Sequence, residues 1–221
     1  MSTRLPLMRI ASDVTELIGN TPLVRLNRVT LVGHSLGGGI ALLTALRFLS
    51  ENPSRLKRLV LVAATAYPQP LPRFIHLAAR PWLGPLALRL LPAAFIMRKA
   101  LQMAYHNPEL ITASQVEAYA HPIRTPEARY ALSRMARQIT PNDMDAVVAR
   151  YPEIRLPTLL IWGREDRIVP LGIGERLERD LPDARLEILE GCGHIPPEEK
   201  PQESLELFRS FLAAERSENP S

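Results

Sequence analysis

Val29-Thr30-Leu31-Val32-Gly33-His34-Ser35-Leu36-Gly37-Gly38 joins a short apolar run to a Gly-x-Ser-x-Gly pentapeptide, and Gly37 to Leu49 continues as a helix. A strand, a glycine-flanked serine and a helix in that order make a nucleophile elbow. The glycines permit a turn so tight that the Ser35 hydroxyl stands clear of the sheet. The backbone N–H of Leu36 then points at the same reacting atom, as an oxyanion-hole donor would. His34, beside the nucleophile, is placed to pack or to line the substrate pocket.

Further apolar runs follow. Leu59–Ala64, Thr158–Trp162 and Ala184–Leu189 read as strands, with helix-length segments at Leu171–Leu181 and Glu203–Ala214. Buried strands alternating with helices argue for an α/β fold, mainly a parallel sheet with helices on both faces. Residues 67–151 break that rhythm. Pro68, Pro70, Pro72, Pro81, Pro85 and Pro92 cut the start of this stretch into short pieces. Later helices in it have clean starts, with Thr112 and Gln115 as a capping box and Thr125-Pro126 and Thr140-Pro141 as caps before a first-turn proline. It reads as a helical insertion: a packing layer or, given its place between strands two and three, a lid. Its Leu83–Met97 stretch is rich in leucine and would give such a lid an apolar face toward a small apolar substrate.

A serine needs a base, oriented by a carboxylate, to act as a nucleophile at neutral pH. Of the five histidines, His76, His106 and His121 fall in the insertion. His194 follows the fourth strand in Glu190-Gly191-Cys192-Gly193-His194-Ile195-Pro196, a glycine-rich loop where active sites of open α/β sheets assemble. Asp166 follows the third strand in Trp162-Gly163-Arg164-Glu165-Asp166-Arg167, with Glu165 as the neighbouring alternative and an ion pair to Arg164 or Arg167 as its structural role. Ser35, Asp166 and His194 thus fall in the chain order Ser…Asp…His, each beyond the end of its own strand. Trp162, at the end of the third strand, is assigned with His34 to substrate binding.

From about Val29 to Ala214 the chain resembles an α/β-hydrolase-fold enzyme with a helical lid, on Gly33-His34-Ser35-Leu36-Gly37-Gly38, Leu160-Ile161-Trp162-Gly163-Arg164-Glu165-Asp166 and Gly191-Cys192-Gly193-His194. The resemblance implies a serine hydrolase of esters, thioesters or similar carbonyl substrates, needing no cofactor or metal. It also implies that Ser35 is nucleophile, His194 base and Asp166 orienting acid. Haloalkane dehalogenases and epoxide hydrolases of this architecture carry an aspartate where Ser35 stands. The implied organisation is a core of residues 29–66 and 152–216 around a lid of residues 67–151.

Residues 1–28 do not resemble the strands and His-Gly loop that precede the elbow in that family. Ile10 to Arg28, with Ile18-Gly19-Asn20-Thr21-Pro22-Leu23-Val24-Arg25-Leu26-Asn27, instead resembles the start of a cysteine synthase, a pyridoxal-phosphate enzyme of another fold. That cofactor needs a lysine close behind, yet the first lysine is Lys57, and the phosphate-holding glycine-threonine loop is missing. The pattern reads as a partial α/β-hydrolase fold joined to a foreign segment. The elbow strand is then expected at or near a sheet edge, with apolar surface exposed beside it, and the hydrolase expected to be impaired or a non-catalytic remnant. A cysteine-synthase-like lyase is the third possibility.

Composition narrows the remaining classes. The 221 residues are 46% hydrophobic, and no stretch reaches the ~18 apolar residues of a membrane span. The net charge is +4, but the 27 basic residues are dispersed among 23 acidic ones. Only Lys57, Lys99 and Lys200 are lysines, and no basic block with interleaved aromatics points to nucleic acid. A start without an apolar signal core and a single cysteine fit a cytoplasmic protein.

Overall fold

The computed structural model describes residues 29–51, 53, 55–69, 80, 89–137 and 143–214. Among these residues four strands, β1 (Val29–His34), β2 (Leu56–Val62), β3 (Thr158–Gly163) and β4 (Ala184–Leu189), form a parallel sheet in the order β1-β2-β3-β4. Helix α1 (Leu36–Glu51) links β1 to β2. Between β2 and β3 lie α2 (Ala93–Ala104), α3 (Ala113–Ala120), α4 (Pro126–Arg137) and α5 (Met144–Val148). Helix α6 (Leu171–Asp180) precedes β4, and α7 (Pro196–Glu199) and α8 (Pro201–Ala213) follow it.

The two-residue period of a strand divides the core between the faces of the sheet. Leu59, Leu61, Leu160 and Trp162 pack with Leu42, Ala45 and Leu46 of α1 and Leu177 of α6. Their neighbours Val60, Val62, Leu159 and Ile161 turn the other way, onto Phe211 of α8. β3 has a strand on either side and helices over both faces, so every residue in it is buried. The Arg58 guanidinium donates to the Phe211 carbonyl and lies 5.1 Å from the centre of its ring, tying the end of α8 to the sheet.

The bounds of the second strand differ from the sequence expectation. β2 begins at Leu56 and stops at Val62, two residues before the apolar run ends. Ala63 turns left-handed there, with φ 45°, and Ala64 passes against α1. The capping box at Thr112 and Gln115 forms, and Thr125 Oγ1 accepts from the Ala128 amide at the start of α4. The Thr140-Pro141 cap lies outside the described residues, as do residues 1–28. Among the described residues β1 is an edge strand, and its Val32, with Ile40 and Leu43 of α1, is exposed. No described helix is long and apolar enough to cross a membrane.

Leu160 is fully buried at the centre of β3. Leu160→Ala is expected to cost about 2–5 kcal/mol, because the packed layers on both sides cannot close the cavity. Denaturant unfolding should show a lowered midpoint at unchanged slope, and a loss below about 1 kcal/mol would contradict this packing.

Candidate active site

Parallel strands bring the loops at their carboxyl ends to one edge of the sheet. Ser35 follows β1 there, Asp166 follows β3 and His194 follows β4. The elbow depends on close backbone passages. A Cβ at Gly33 would lie 2.4 Å from the Gly37 oxygen, and one at Gly38 would lie 2.3 Å from the Ala64 Cβ. Ser35 itself is left-handed, with φ 54°. The surrounding backbone holds it so: its N–H donates to the Val62 carbonyl at 3.0 Å, and its carbonyl accepts from the Gly38 and Thr65 amides at 2.9 and 3.0 Å. Such a conformation costs of order 1–3 kcal/mol and persists only where neighbours over-determine it. Leu36 opens α1, so its N–H belongs to the first turn, whose amides have no acceptor within the helix.

Ser35 Oγ stands 2.9 Å from His194 Nε2, and His194 Nδ1 stands 2.8 Å from Asp166 Oδ2. Asp166 is buried, and its other oxygen accepts from the amides of Ile168 and Val169 at 2.8 and 2.9 Å. The carboxylate is therefore fixed in place with both oxygens used. Glu165, the alternative acid, turns away and accepts from the Cys192 amide at 2.9 Å. Arg164 pairs with Glu190 rather than with Asp166. This arrangement can take a proton from the serine hydroxyl and hold the resulting imidazolium beside a carboxylate.

His34 and Trp162, grouped above as substrate-binding, part company. His34 Nε2 donates to the His194 carbonyl at 2.8 Å, with the two rings 4.9 Å apart, so it borders the site. Desolvation by the protein around it lowers its pKa below the usual histidine value, against the opposing effect of that carbonyl. Trp162 is instead a core side chain. It is completely buried, its indole N–H donates to the Val169 carbonyl at 2.9 Å, and its ring fits against Gly174 of α6, where a Cβ would lie 2.9 Å from it. The cause is strand parity: Trp162 shares the face of Leu160, which α1 and α6 cover.

The chain matches the model of the alpha/beta hydrolase family over residues 3–207. The chain belongs to that family. An uncharacterized hydrolase, YugF, of Bacillus subtilis is 32% identical over 197 residues, which are 89% of this chain and 69% of the relative. A 2-hydroxymuconate semialdehyde hydrolase of Pseudomonas putida is 30% identical over 203 residues, 90% of this chain and 68% of the relative. A crystal structure of a variant meta-cleavage product hydrolase (CumD) superimposes with a TM-score of 0.69 at 26% identity, covering 86% of this chain and 66% of that one. The chain thus spans about two thirds of the length of these relatives. The family match takes in residues 10–28, the stretch that resembles the start of a cysteine synthase and that lies outside the described residues.

In this member of the family the helical segment is bonded directly to the histidine loop, a connection that strand and helix patterns do not display. The His194 amide donates to the carbonyl of Ala104, the last residue of α2, at 2.7 Å. Glu198 of α7 accepts from the hydroxyls of Tyr105 and Tyr119 and, at 3.1 Å, from Gln115 Nε2. Burial and then the Glu198 carboxylate push the Tyr119 hydroxyl up to about 12. Two adjacent glutamates four and five residues after His194 were the available signal, but ordinary surface helices carry the same pattern.

Gly193 has no room for a side chain: a Cβ would lie 2.2 Å from the Ala104 oxygen and 2.6 Å from the His106 amide nitrogen. Both are backbone atoms, so Gly193→Ala must part the loop from α2. The expected loss is about 1–3 kcal/mol, together with slower modification of Ser35 by an active-site-directed reagent. Wild-type stability and reactivity in this variant would show the close approach to be unimportant.

Proposed function

We propose that this chain is a serine hydrolase that cleaves an ester, thioester or similar carbonyl substrate. The observation that carries the reading is the hydrogen-bonded series Ser35 Oγ, His194 Nε2, His194 Nδ1, Asp166 Oδ2, set at the amino end of α1. Ser35 Oγ attacks the carbonyl carbon while His194 Nε2 takes its proton. Asp166 holds the imidazole in the tautomer that leaves Nε2 free to accept and steadies the imidazolium that follows. The oxyanion of the tetrahedral intermediate lies against the Leu36 N–H, where one preorganised donor is worth about 10²–10³ in rate. The carbon–oxygen or carbon–sulfur bond then breaks, and His194 returns the proton to the leaving alcohol or thiol. Water, deprotonated by His194, releases the acid from Ser35.

The helical segment serves as the lid in this reading, because α2 ends on the His194 loop and Leu90, Leu91 and Phe95 are exposed large hydrophobics within it. Leu83, Leu86 and Leu88 lie outside the described residues. His34 borders the entering substrate with a ring that its surroundings favour as neutral, which suits an uncharged acyl group. The catalytically incomplete alternative rests on the edge position of β1 among the described residues. The pyridoxal-phosphate alternative rests on residues 10–28 alone, and the family match across that stretch weighs against it.

A fluorophosphonate probe decides between an active and an incomplete site. Labelling is expected at Ser35, with none in Ser35→Ala. Equal labelling of both proteins would remove Ser35 from its role, and a folded wild type that takes no label would establish the incomplete site.

The substrate class is read from a panel of p-nitrophenyl esters, with short and medium apolar acyl groups expected to turn over faster than charged ones. The name of the Pseudomonas putida relative motivates one further compound, 2-hydroxymuconate semialdehyde. Faster turnover of charged esters, or of that compound, would overturn the apolar assignment.

A further inference from the structure

Glu199 is a buried carboxylate that the proposed chemistry does not use. It lies at the end of the short helix α7 and accepts from two backbone amides of different segments. One is Gly193, the residue before His194, at 2.5 Å; the other is His106, just beyond α2, at 2.6 Å to one oxygen and 3.1 Å to the other. Neither amide takes part in the sheet or in a helix. Burying a carboxylate is costly unless it is hydrogen-bonded, and burying an N–H without an acceptor is costly too. Each group therefore needs the other, and charge-assisted bonds of this kind are short and directional.

We infer that Glu199 is a positioning residue for His194, clamping the histidine loop to the end of the helical segment so that the imidazole keeps its distance from Ser35. The inference rests on the serine-hydrolase reading. The geometry around His194 shows why one clamp matters. The loop enters through Gly191, whose φ is 60°, and a Cβ on Gly193 would meet the Ala104 carbonyl. His194 is thus held on its backbone by the Ala104 carbonyl, on its ring by Asp166, and on the preceding peptide by Glu199. Asp166 fixes one end of the ring, but only the backbone bonds determine where the loop carries the other end. Removing the clamp leaves the buried Gly193 amide and the half-buried His106 amide without their acceptor where the histidine loop packs against the end of α2. The loop and α2 must separate to hydrate them. A shift of about 1 Å between reacting groups costs on the order of 10²-fold in rate.

The test compares wild type, Glu199→Gln and Glu199→Ala. Glutamine keeps one acceptor oxygen in about the same place, so it preserves part of the clamp; alanine keeps none. Three quantities are measured: the thermal midpoint, the rate of Ser35 labelling by a fluorophosphonate across probe concentrations, and hydrogen exchange of the Gly193 and His106 amides. The maximal labelling rate is expected to fall in the order wild type, Gln, Ala, reaching about 10²-fold in Ala, while the half-saturating probe concentration moves less than about threefold. Exchange at both amides should accelerate in the same order. Wild-type labelling by folded variants overturns the inference. An equal loss of labelling in Leu160→Ala, which unfolds more easily without touching the loop, does so too. If Glu199→Ala does not fold, Glu199→Gln alone decides by the same two readouts. If wild type takes no label, the serine-hydrolase reading fails. The clamp is then judged by exchange alone: unchanged protection at Gly193 and His106 in Glu199→Gln overturns it, and faster exchange sustains it.

Discussion

Gly38 of α1 passes Ala64 so closely that a Cβ there would lie 2.3 Å from the alanine's own, and Gly33 passes Gly37 as tightly. That contact sets how steeply the chain can leave β1 and enter α1. It also forces Ser35 into the left-handed region, where the Val62 carbonyl and the Gly38 and Thr65 amides hold it. The serine hydroxyl is raised from the edge of the sheet because the backbone beneath it has nowhere else to go. Helix α1 begins at Leu36, directly after the serine, so the Leu36 amide falls in the first turn, where no acceptor within the helix is available to it.

The rest of the site inherits its precision from the parallel sheet. Strand register sets Gly33 beside Leu61 and Gly163 beside Leu189, so the loops bearing Ser35, Asp166 and His194 emerge at one level. Asp166 is locked by two amides of its own loop, and its loop is in turn locked to the core by the Trp162 indole on Val169. Trp162 therefore acts at a remove: it steadies the turn that carries the acid. His194 sits in a short, glycine-rich loop, supported by Glu199 of the helix that follows it and, from distant segments, by the Ala104 carbonyl and the His34 ring.

That dependence gives the helical segment a structural role apart from any contact with substrate. The end of α2 supplies the Ala104 carbonyl and the His106 amide, and Glu198 gathers Tyr105, Tyr119 and Gln115 onto the same short helix. A motion of α2 relative to the sheet would have to break bonds to the loop that carries His194.

Much of this was legible in the residues. The apolar runs marked the four described strands, the glycines flanking Ser35 marked the elbow, and the capping chemistry of Thr112 and Gln115 marked a helix start. Each is a local signal, because strand propensity, turn chemistry and caps act over a few neighbours. The glycine-rich loop after the fourth strand and the acid after the third drew attention to His194 and Asp166 for the same reason. The choice of Asp166 over Glu165 was not local: which carboxylate faces His194 follows from loop conformation in three dimensions. Nor was the fate of Trp162, whose burial follows from which face α1 and α6 cover. Glu199 is the extreme case. As sequence it is one acidic residue in Pro196-Pro197-Glu198-Glu199-Lys200, and it acquires meaning only when the end of α2, more than ninety residues earlier, arrives beside it. Local chemistry determined the elements and the candidate residues; long-range packing decided which of them meet, because hydrogen bonds between distant segments leave no periodic trace in the chain.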